Sequence, residues 1–400
     1  MLCQRSFHIP AGFARGAANG ASTLPSSSRD DRLSFDRRRP LPSSLMPLPD
    51  FDNDDRLDPR VRRVLPLLSS PEPRRPVASR EALLAAAATP AAAAARELTR
   101  AATERMDREE IASFDGISTD VITFRSTPDD NPVKINMIRP DSGDTLPCVV
   151  YLHGGGMARN SAFDGNYRVW GRLLAAEGAV VAMIDFRNSL EPSTAEEVAV
   201  YPAGLDDCVA GVRWVSENAA ELGIDPARIV VAGDSGGGNL TLATGMRLAA
   251  DGDTDLVKGL YAFCPYIALD RNAETYPSSA EFEGYFLRLA NNEGRYAYGV
   301  DAADARDPMA WPAYATADDV AGLPPTVISV NECDPLRDEG IAFYRTLLAA
   351  GVSARCVVVM GTMHAVEVIP NVCPDISRAA ARDVVGFATQ PHPPARNRRS

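Results

Sequence analysis

Short apolar runs alternate with helical patterns over most of the chain. Eight runs rich in Val, Ile and Phe predict strands at residues 121–124, 133–138, 148–152, 180–184, 229–232, 260–263, 326–330 and 356–359. Helical patterns follow several of them, at residues 170–177, 205–222, 239–250 and 340–350. Because a short polar turn separates the first two strands, we expect them to pair antiparallel. The alternation predicts an α/β fold with a mostly parallel central sheet covered by helices on both faces.

Two segments interrupt this alternation and predict a helical cap. Residues 46–115 contain helical patterns without strands, and residues 267–310 are too long for a plain connection between two strands. We expect the long connection to be a cap insertion over the carboxyl edge of the sheet, where ligands bind in open α/β folds. Most aromatic residues between 266 and 298 are expected to pack this cap, and some to line its entrance. The catalytic domain is then predicted over residues 116–390.

The two ends of the chain have a different composition. Residues 1–45 are rich in Arg, Ser and Pro, and they predict a disordered tail, with a transit peptide as the alternative and Met46 as a candidate start. Residues 391–400 form a basic, proline-containing tail around His392.

Composition excludes several classes of function. The net charge of −12 over 400 residues argues against nucleic acid or an anionic membrane as the main partner. The seven cysteines include no Cys-x-x-Cys pair and no zinc-ligand spacing, so we expect reduced thiols in a cytoplasmic protein and no metal site. The longest alanine-rich stretch is too short and too weakly apolar to span a bilayer.

The sequence Gly233-Asp234-Ser235-Gly236-Gly237 connects a predicted strand to a predicted helix. A serine between glycines at such a corner is typical of a nucleophile elbow, in which a tight turn exposes the hydroxyl at a helix N-terminus. Ser235 is therefore the candidate nucleophile of a serine hydrolase.

A serine nucleophile needs a base, and the base needs an orienting carboxylate. Elbow hydrolases have the chain order Ser, Asp or Glu, then His. His364 follows the last predicted strand, whereas His392 lies in the basic tail, so His364 is the candidate base. Asp334 is the preferred carboxylate because Pro335 favours a loop conformation there, and Glu332 and Asp338 remain alternatives.

Glycines after the third predicted strand predict an oxyanion hole. His153-Gly154-Gly155-Gly156 follows this strand directly, and glycines let backbone N–H groups face a substrate without obstruction. We expect donors from Gly154, Gly155, Gly156 and, after the nucleophile, Gly236. His153 precedes Ser235 and is expected to hold the loop by hydrogen bonds. The loop lacks the residues of a phosphate-binding motif or a dinucleotide fingerprint.

These motifs resemble those of the hormone-sensitive-lipase-like family of α/β-hydrolases, in its bacterial esterase form. The resemblance covers residues 132–387, and its five motifs occur in the family's order: the glycine loop, Tyr201-Pro202-Ala203 with Asp206-Asp207, the elbow, Asp334-Pro335-Leu336-Arg337-Asp338, and His364. It implies hydrolysis of short-acyl carboxylic esters without a cofactor, a cap built from N-terminal helices and an insertion, and a homodimer as one assembly.

Three positions depart from the family pattern. Gly236 replaces the usual alanine, residues 188–200 differ in sequence and length, and Ala365-Val366 replaces the usual Gly-Phe after the base. The last two changes affect the predicted pocket wall and acyl pocket, not the base. Two other functions remain open: a ligand-binding receptor on the same fold, and an amidase or C–C hydrolase that uses the same three residues.

Overall fold

The computed structural model describes residues 49–69, 75–195 and 197–390. One eight-stranded sheet organises them, in the order β1-β2-β4-β3-β5-β6-β7-β8. The first two strands are antiparallel to each other and β2 is antiparallel to β4, while all other neighbours are parallel. The strands are β1 Ile117–Ser126, β2 Asn131–Pro140, β3 Leu146–Leu152, β4 Val180–Asp185, β5 Ile224–Asp234, β6 Gly259–Phe263, β7 Thr326–Cys333 and β8 Ala354–Met363.

Eleven α-helices accompany the sheet in the described ranges. They are α1 Pro59–Leu68, α2 Arg80–Ala87, α3 Pro90–Glu104, α4 Gly165–Ala176, α5 Ala203–Glu217, α6 Gly236–Asp251, α7 Ser278–Glu281, α8 Glu293–Tyr298, α9 Val300–Ala305, α10 Arg337–Ala349 and α11 Pro374–Thr389. None of them is both long enough and apolar enough to cross a membrane.

Apolar side chains on both sheet faces form the core. Along β3, Cys148, Val150 and Leu152 belong to one apolar cluster, and Val149 and Tyr151 belong to the other. The first cluster includes side chains of α5, α6 and α10, and the second includes side chains of α4 and α11. Because successive side chains of a strand point to opposite faces, helices cover both faces. The predicted α/β fold with a mostly parallel sheet is confirmed.

The N-terminal helices and the long connection pack near the carboxyl edge of the sheet. Val61 and Leu65 of α1 are fully buried in a cluster with Phe282, Met363 and Val366. Leu83 of α2 packs in a smaller cluster with Ala297 of α8. Both segments predicted to form the cap therefore contact elements that surround this edge.

One boundary difference, at the end of β8, affects the site. The sequence predicts a strand over 356–359 followed by a loop, but β8 continues to Met363 and delivers His364 directly from its carboxyl end. The strand extends because Asn331↔Val359 and Cys333↔Met363 pair across β7 and β8, with a register shift between the two pairs. The predictions for residues 1–45 and 391–400 lie outside the described ranges.

Candidate active site

Ser235 lies between β5 and α6 in a strained backbone conformation. Its φ of 55° and ψ of −114° are rare for a residue with a side chain. Three backbone hydrogen bonds fix it: its N–H donates to Phe263 O, and its carbonyl accepts from the N–H groups of Tyr266 and Asn239. The elbow is therefore braced by the segment that follows β6 and by the first turn of α6.

The glycines of the elbow are required by close backbone packing. A Cβ at Gly237 would lie 1.9 Å from Leu152 O. A Cβ at Gly236 would lie 2.5 Å from Met157 N and 2.6 Å from Gly156 N. Gly236, where the resembling family usually has alanine, thus lets the glycine loop after β3 approach the residue next to Ser235.

Asp334 and His364 form a buried hydrogen-bonded pair beyond the ends of β7 and β8. His364 Nδ1 and Asp334 Oδ2 are 2.8 Å apart, and the other oxygen, Oδ1, accepts the N–H of Leu336. An ionised carboxylate only accepts hydrogen bonds, so Nδ1 carries the proton and Nε2 is the basic nitrogen. This is the geometry of an imidazole oriented to accept a proton.

The surroundings of His364 favour its charged form. Burial lowers the pKa of His364, but the carboxylate of Asp334, with those of Asp234 and Glu367, outweighs burial and raises the pKa above its ordinary value. The ring of Phe286 stacks near the imidazole, with centroids 6.2 Å apart. An imidazolium formed during a reaction would therefore be stabilised in this position.

Ser235 and His364 line one cavity of about 600 Å³. Among the described residues no hydrogen bond joins the Ser235 hydroxyl to the imidazole, and Cys264 Sγ lies 3.9 Å from Nε2. Hydrogen bonds between nucleophile and base often tighten only when substrate binds. Side chains of α1 and α3 and the segment around Phe286 form other parts of the cavity wall.

In the glycine loop after β3, one N–H group is hydrogen-bonded within the protein, and the next two residues line the cavity. The N–H of Gly154 donates to the Tyr167 hydroxyl at 2.7 Å, so this N–H is not free to bind an oxyanion, contrary to the sequence prediction. Gly155 and Gly156 line the cavity with positive φ values of 111° and 66°. Within the described ranges, the N–H groups of Gly155, Gly156 and Gly236 have no acceptor.

Asp234 joins the elbow to the glycine loop. Its buried carboxylate accepts from Tyr151 Oη at 2.8 Å and from Tyr167 Oη at 3.2 Å. Burial raises the pKa of Asp234, while these tyrosines and nearby histidines oppose the rise. Because Tyr167 also accepts from Gly154, a chain of hydrogen bonds runs from the residue before Ser235 to the loop.

The other candidates from the sequence have structural contacts. Glu332 accepts the N–H of Gly361, and Asp338 pairs with Arg337 and accepts the N–H of Ser278. Neither contacts His364 by a hydrogen bond. His153 stacks on Phe186 with centroids 4.1 Å apart, and its Nδ1 lies 2.9 Å from Gly154 O, in agreement with a role in holding the loop. His392 lies outside the described ranges.

One group of possible metal ligands occurs in the described residues, formed by Cys264, Asp334 and His364. Asp334 contacts Nδ1 of the imidazole and Cys264 lies near Nε2, so the two ligands approach opposite sides of the ring. The contact between Nδ1 and Asp334 suits an acid–base pair.

Sequence reasoning missed Tyr167, Cys264 and Glu367. Tyr167 lies in the first turn of α4, which begins at Gly165, whereas the sequence predicts a helix only from residue 170. Glu367 follows His364 by three residues and carries no motif. Only its position beside the candidate base, in an otherwise apolar stretch, could have drawn attention to it.

Comparison with known proteins identifies the family of this chain. The family model described as alpha/beta hydrolase fold matches residues 149–368. Carboxylesterase NlhH of Mycobacterium tuberculosis is 37% identical over 227 residues, which are 56% of this chain and 67% of the relative.

Two solved structures cover more of the chain. Esterase Est22, solved with p-nitrophenol, is 53% identical with a TM-score of 0.83, and the match covers 85% of this chain and 100% of that one. Brefeldin A esterase, described as a bacterial homologue of human hormone-sensitive lipase, is 36% identical with a TM-score of 0.73. That match covers 84% of this chain and 94% of the other.

The chain therefore belongs to the α/β hydrolase fold family. Within it, the chain is a carboxylic ester hydrolase related to the bacterial homologues of hormone-sensitive lipase.

Proposed function

We propose that this protein hydrolyses short-acyl carboxylic esters with Ser235 as nucleophile, His364 as base and Asp334 as the orienting carboxylate. The observation that carries the proposal is the 2.8 Å pair between Asp334 and His364, whose imidazole lines the same cavity as the strained Ser235. Esters are small-molecule substrates that such a cavity can surround.

The proposed reaction has two halves. In the first half, Ser235 Oγ attacks the ester carbonyl while His364 Nε2 takes the hydroxyl proton, and the imidazolium then gives this proton to the leaving alcohol. In the second half, water attacks the acyl-enzyme, His364 takes a proton from the water, and the same proton returns to Ser235 as the acid leaves. Asp334 keeps the imidazole in the productive tautomer throughout.

The oxyanion is proposed to bind the N–H groups of Gly155, Gly156 and Gly236. Their N–H groups have no acceptor in the described ranges, and Gly236 begins α6, whose N-terminus favours negative charge. Gly154 is not included among the proposed oxyanion donors, because the Tyr167 hydroxyl accepts its N–H.

The experiment compares p-nitrophenyl acetate hydrolysis by wild type, Ser235→Ala and Ser353→Ala. Ser353 is an exposed serine just before β8, at the edge of the sheet opposite the site, and serves as the matched control. We expect Ser235→Ala to lose about 10⁶-fold in kcat and all labelling by a fluorophosphonate. Normal turnover by Ser235→Ala would exclude the proposed nucleophile, and a folded wild type that takes no label would instead be a binding protein.

A cytoplasmic location and a homodimer complete the proposal. The six cysteines in the described ranges are free thiols, five of them buried, which is typical of a reducing compartment. Light scattering of the purified protein tests the dimer, since a monomer at micromolar concentration contradicts it. Fractionation of the native cells tests the location.

A further inference from the structure

Glu367 is a buried carboxylate that takes no part in the proposed reaction. It is 1% exposed and lies on a 3₁₀ turn, Val366–Val368, that begins two residues after His364. Among the described residues the other buried glutamate, Glu339, pairs with Arg271, whereas Glu367 has no Lys or Arg within ion-pair distance. Burial raises the pKa of Glu367, and hydrogen bonds from Asn331 and Ser329 oppose the rise. A buried carboxylate without a cation is costly to maintain.

The partners of Glu367 lie on β7, next to the base. Asn331 Nδ2 donates to Oε2 at 2.9 Å, and the Ser329 hydroxyl donates to Oε1 at 3.3 Å. Both partners are buried, with exposures of 0% for Asn331 and 2% for Ser329. Glu367 is therefore hydrogen-bonded to side chains of β7, the strand whose carboxyl end leads to Asp334.

Asn331 connects Glu367 to residues on both sides of His364. Its Oδ1 accepts the N–H of Ala365 at 3.1 Å, and its Nδ2 also donates to Thr362 Oγ1 at 2.9 Å. Ala365 has a φ of 58°, so the chain turns sharply directly after the imidazole. Since a backbone N–H can only donate, the amide oxygen must face Ala365 and the amide nitrogen must face Glu367.

We propose that Glu367 is a positioning residue for His364, which it holds in the productive orientation by fixing the amide of Asn331. Without this acceptor the amide nitrogen keeps only the Thr362 hydroxyl, so the amide is held less firmly and the hydrogen bond to the Ala365 N–H is weakened. Small displacements of a catalytic group strongly reduce kcat while substrate binding persists. This inference rests on the proposed role of His364 as base.

The test uses three substitutions at the network and one matched control. Glu367→Leu removes both acceptors at similar volume. Glu367→Gln keeps both hydrogen bonds, because its amide oxygen accepts from Asn331 and its amide nitrogen donates to the Ser329 oxygen. Asn331→Ala removes the connection itself. The control is Glu332→Gln, a carboxylate next to Asn331 on β7 whose partner is the Gly361 N–H.

We expect Glu367→Leu and Asn331→Ala each to lower kcat for p-nitrophenyl acetate about 100-fold with little change in KM, after normalisation to the folded protein. Glu367→Gln and the control should stay within about threefold of wild type, and the double variant Glu367→Leu/Asn331→Ala should lose no more than either single variant, because both break one connection. Wild-type kcat in folded Glu367→Leu, failure of Glu367→Gln to restore kcat, or additive losses would each overturn the proposal.

Fluorophosphonate labelling separates this failure from that of the proposed function. If wild type is labelled at Ser235 and Glu367→Leu turns over normally, only the role of Glu367 is wrong. If wild type is not labelled, the proposed nucleophile itself is wrong. Thermal unfolding of every variant shows whether Glu367→Leu folds, and Asn331→Ala tests the same connection independently if it does not.

Discussion

Two carboxylates lie two residues apart near the end of β7, and the direction of each side chain decides its role. Asp334 meets the imidazole, whereas Glu332 meets the backbone of Gly361. Side chains alternate along a strand, but here the chain leaves β7 after Cys333, so alternation alone does not predict which carboxylate faces the base. Proline after Asp334 supplied the decisive sequence signal.

Replacing Asp334 by asparagine should lower kcat about 10⁴-fold, because the amide stabilises the wrong imidazole tautomer. Glu332→Gln, which keeps an acceptor for the Gly361 N–H and does not contact His364, should stay within about threefold of wild type. Steady-state kinetics on both variants measures the difference. Equal losses in the two variants would contradict the assignment of Asp334.

The pH dependence of wild type follows from the raised pKa of His364. The reaction needs the neutral imidazole, so kcat/KM should fall as pH drops through the pKa of His364. Because the carboxylates around His364 raise this pKa above the ordinary value of about 6.5, activity should already decline at a higher pH than an unperturbed histidine would allow. A kcat/KM profile between pH 5 and 9, at about 25 °C, measures the midpoint. A midpoint below that of a free imidazole would mean that burial dominates.

Gly236 allows the glycine loop to approach the nucleophile, and alanine there should displace it. The added Cβ would meet Met157 N at 2.5 Å and Gly156 N at 2.6 Å, both of which are backbone atoms that cannot rotate away. We expect Gly236→Ala to lower kcat by about tenfold or more, since an oxyanion donor is misplaced.

The control for this change is Gly386→Ala in α11, where the nearest atom to an added Cβ is the end of the Gln390 side chain at 3.7 Å. That substitution should leave kcat unchanged and stabilise the helix by about 0.5–1 kcal/mol. Kinetics and thermal unfolding of both variants check the pair. Unchanged kcat in Gly236→Ala would mean that the loop tolerates the methyl group.

At the scale of elements, α4 supplies the link that positions the glycine loop. Tyr167 in its first turn accepts from Gly154 and donates to Asp234, so the helix connects the loop after β3 to the end of β5. Tyr151 on β3 donates to the same carboxylate but makes no hydrogen bond to the loop through its hydroxyl. Substituting each tyrosine in turn therefore distinguishes the effect of a lost hydrogen bond to Asp234 from the effect of a displaced glycine loop.

We expect Tyr167→Phe and Tyr151→Phe each to destabilise the protein by about 1–3 kcal/mol, because each removes a buried hydrogen bond to Asp234. Only Tyr167→Phe should also lower kcat by about tenfold or more, since it frees the N–H of Gly154 next to the oxyanion donors. Chemical denaturation and steady-state kinetics give the two quantities. Equal kcat values for the two variants would contradict the proposed link.

The order of elements was predictable because it depends on local pattern, whereas contacts between distant elements were not. The elbow, the glycine loop and His364 follow strands and are recognised from neighbouring residues. Tyr167 and Asp234 are 67 positions apart, and no spacing in the sequence relates them. The end of β8 was missed because Gly361 and Thr362 interrupt the apolar pattern, although the pairs with β7 on either side of them, at Val359 and Met363, keep them in the strand.

At the scale of the whole molecule, the parallel sheet brings the separate pieces to one edge. β5, β7 and β8 all end there, with β6 between β5 and β7, so Ser235, Asp334 and His364 all lie at this edge although they are far apart in the sequence. The N-terminal segment completes this edge. Leu67 and Leu68 of α1 and Thr103 of α3 line the cavity, and Asp58, just before α1, donates its N–H to Gly361 O.

Two truncations test which part of the N-terminal segment the site needs. Removal of residues 1–45 should leave kcat/KM within about twofold of wild type, because their composition, rich in Arg, Ser and Pro, predicts a disordered tail outside the catalytic domain. Removal of residues 1–115 should abolish activity and lower the melting temperature, because it deletes Val61 and Leu65, which cover Met363 and Val366 on either side of the base. Losing a buried leucine alone costs about 2–5 kcal/mol. Activity assays and thermal unfolding of both truncations test these expectations. Full activity without residues 1–115 would show that the N-terminal helices are not part of the site. Loss of activity without residues 1–45 would show that the site also depends on those residues.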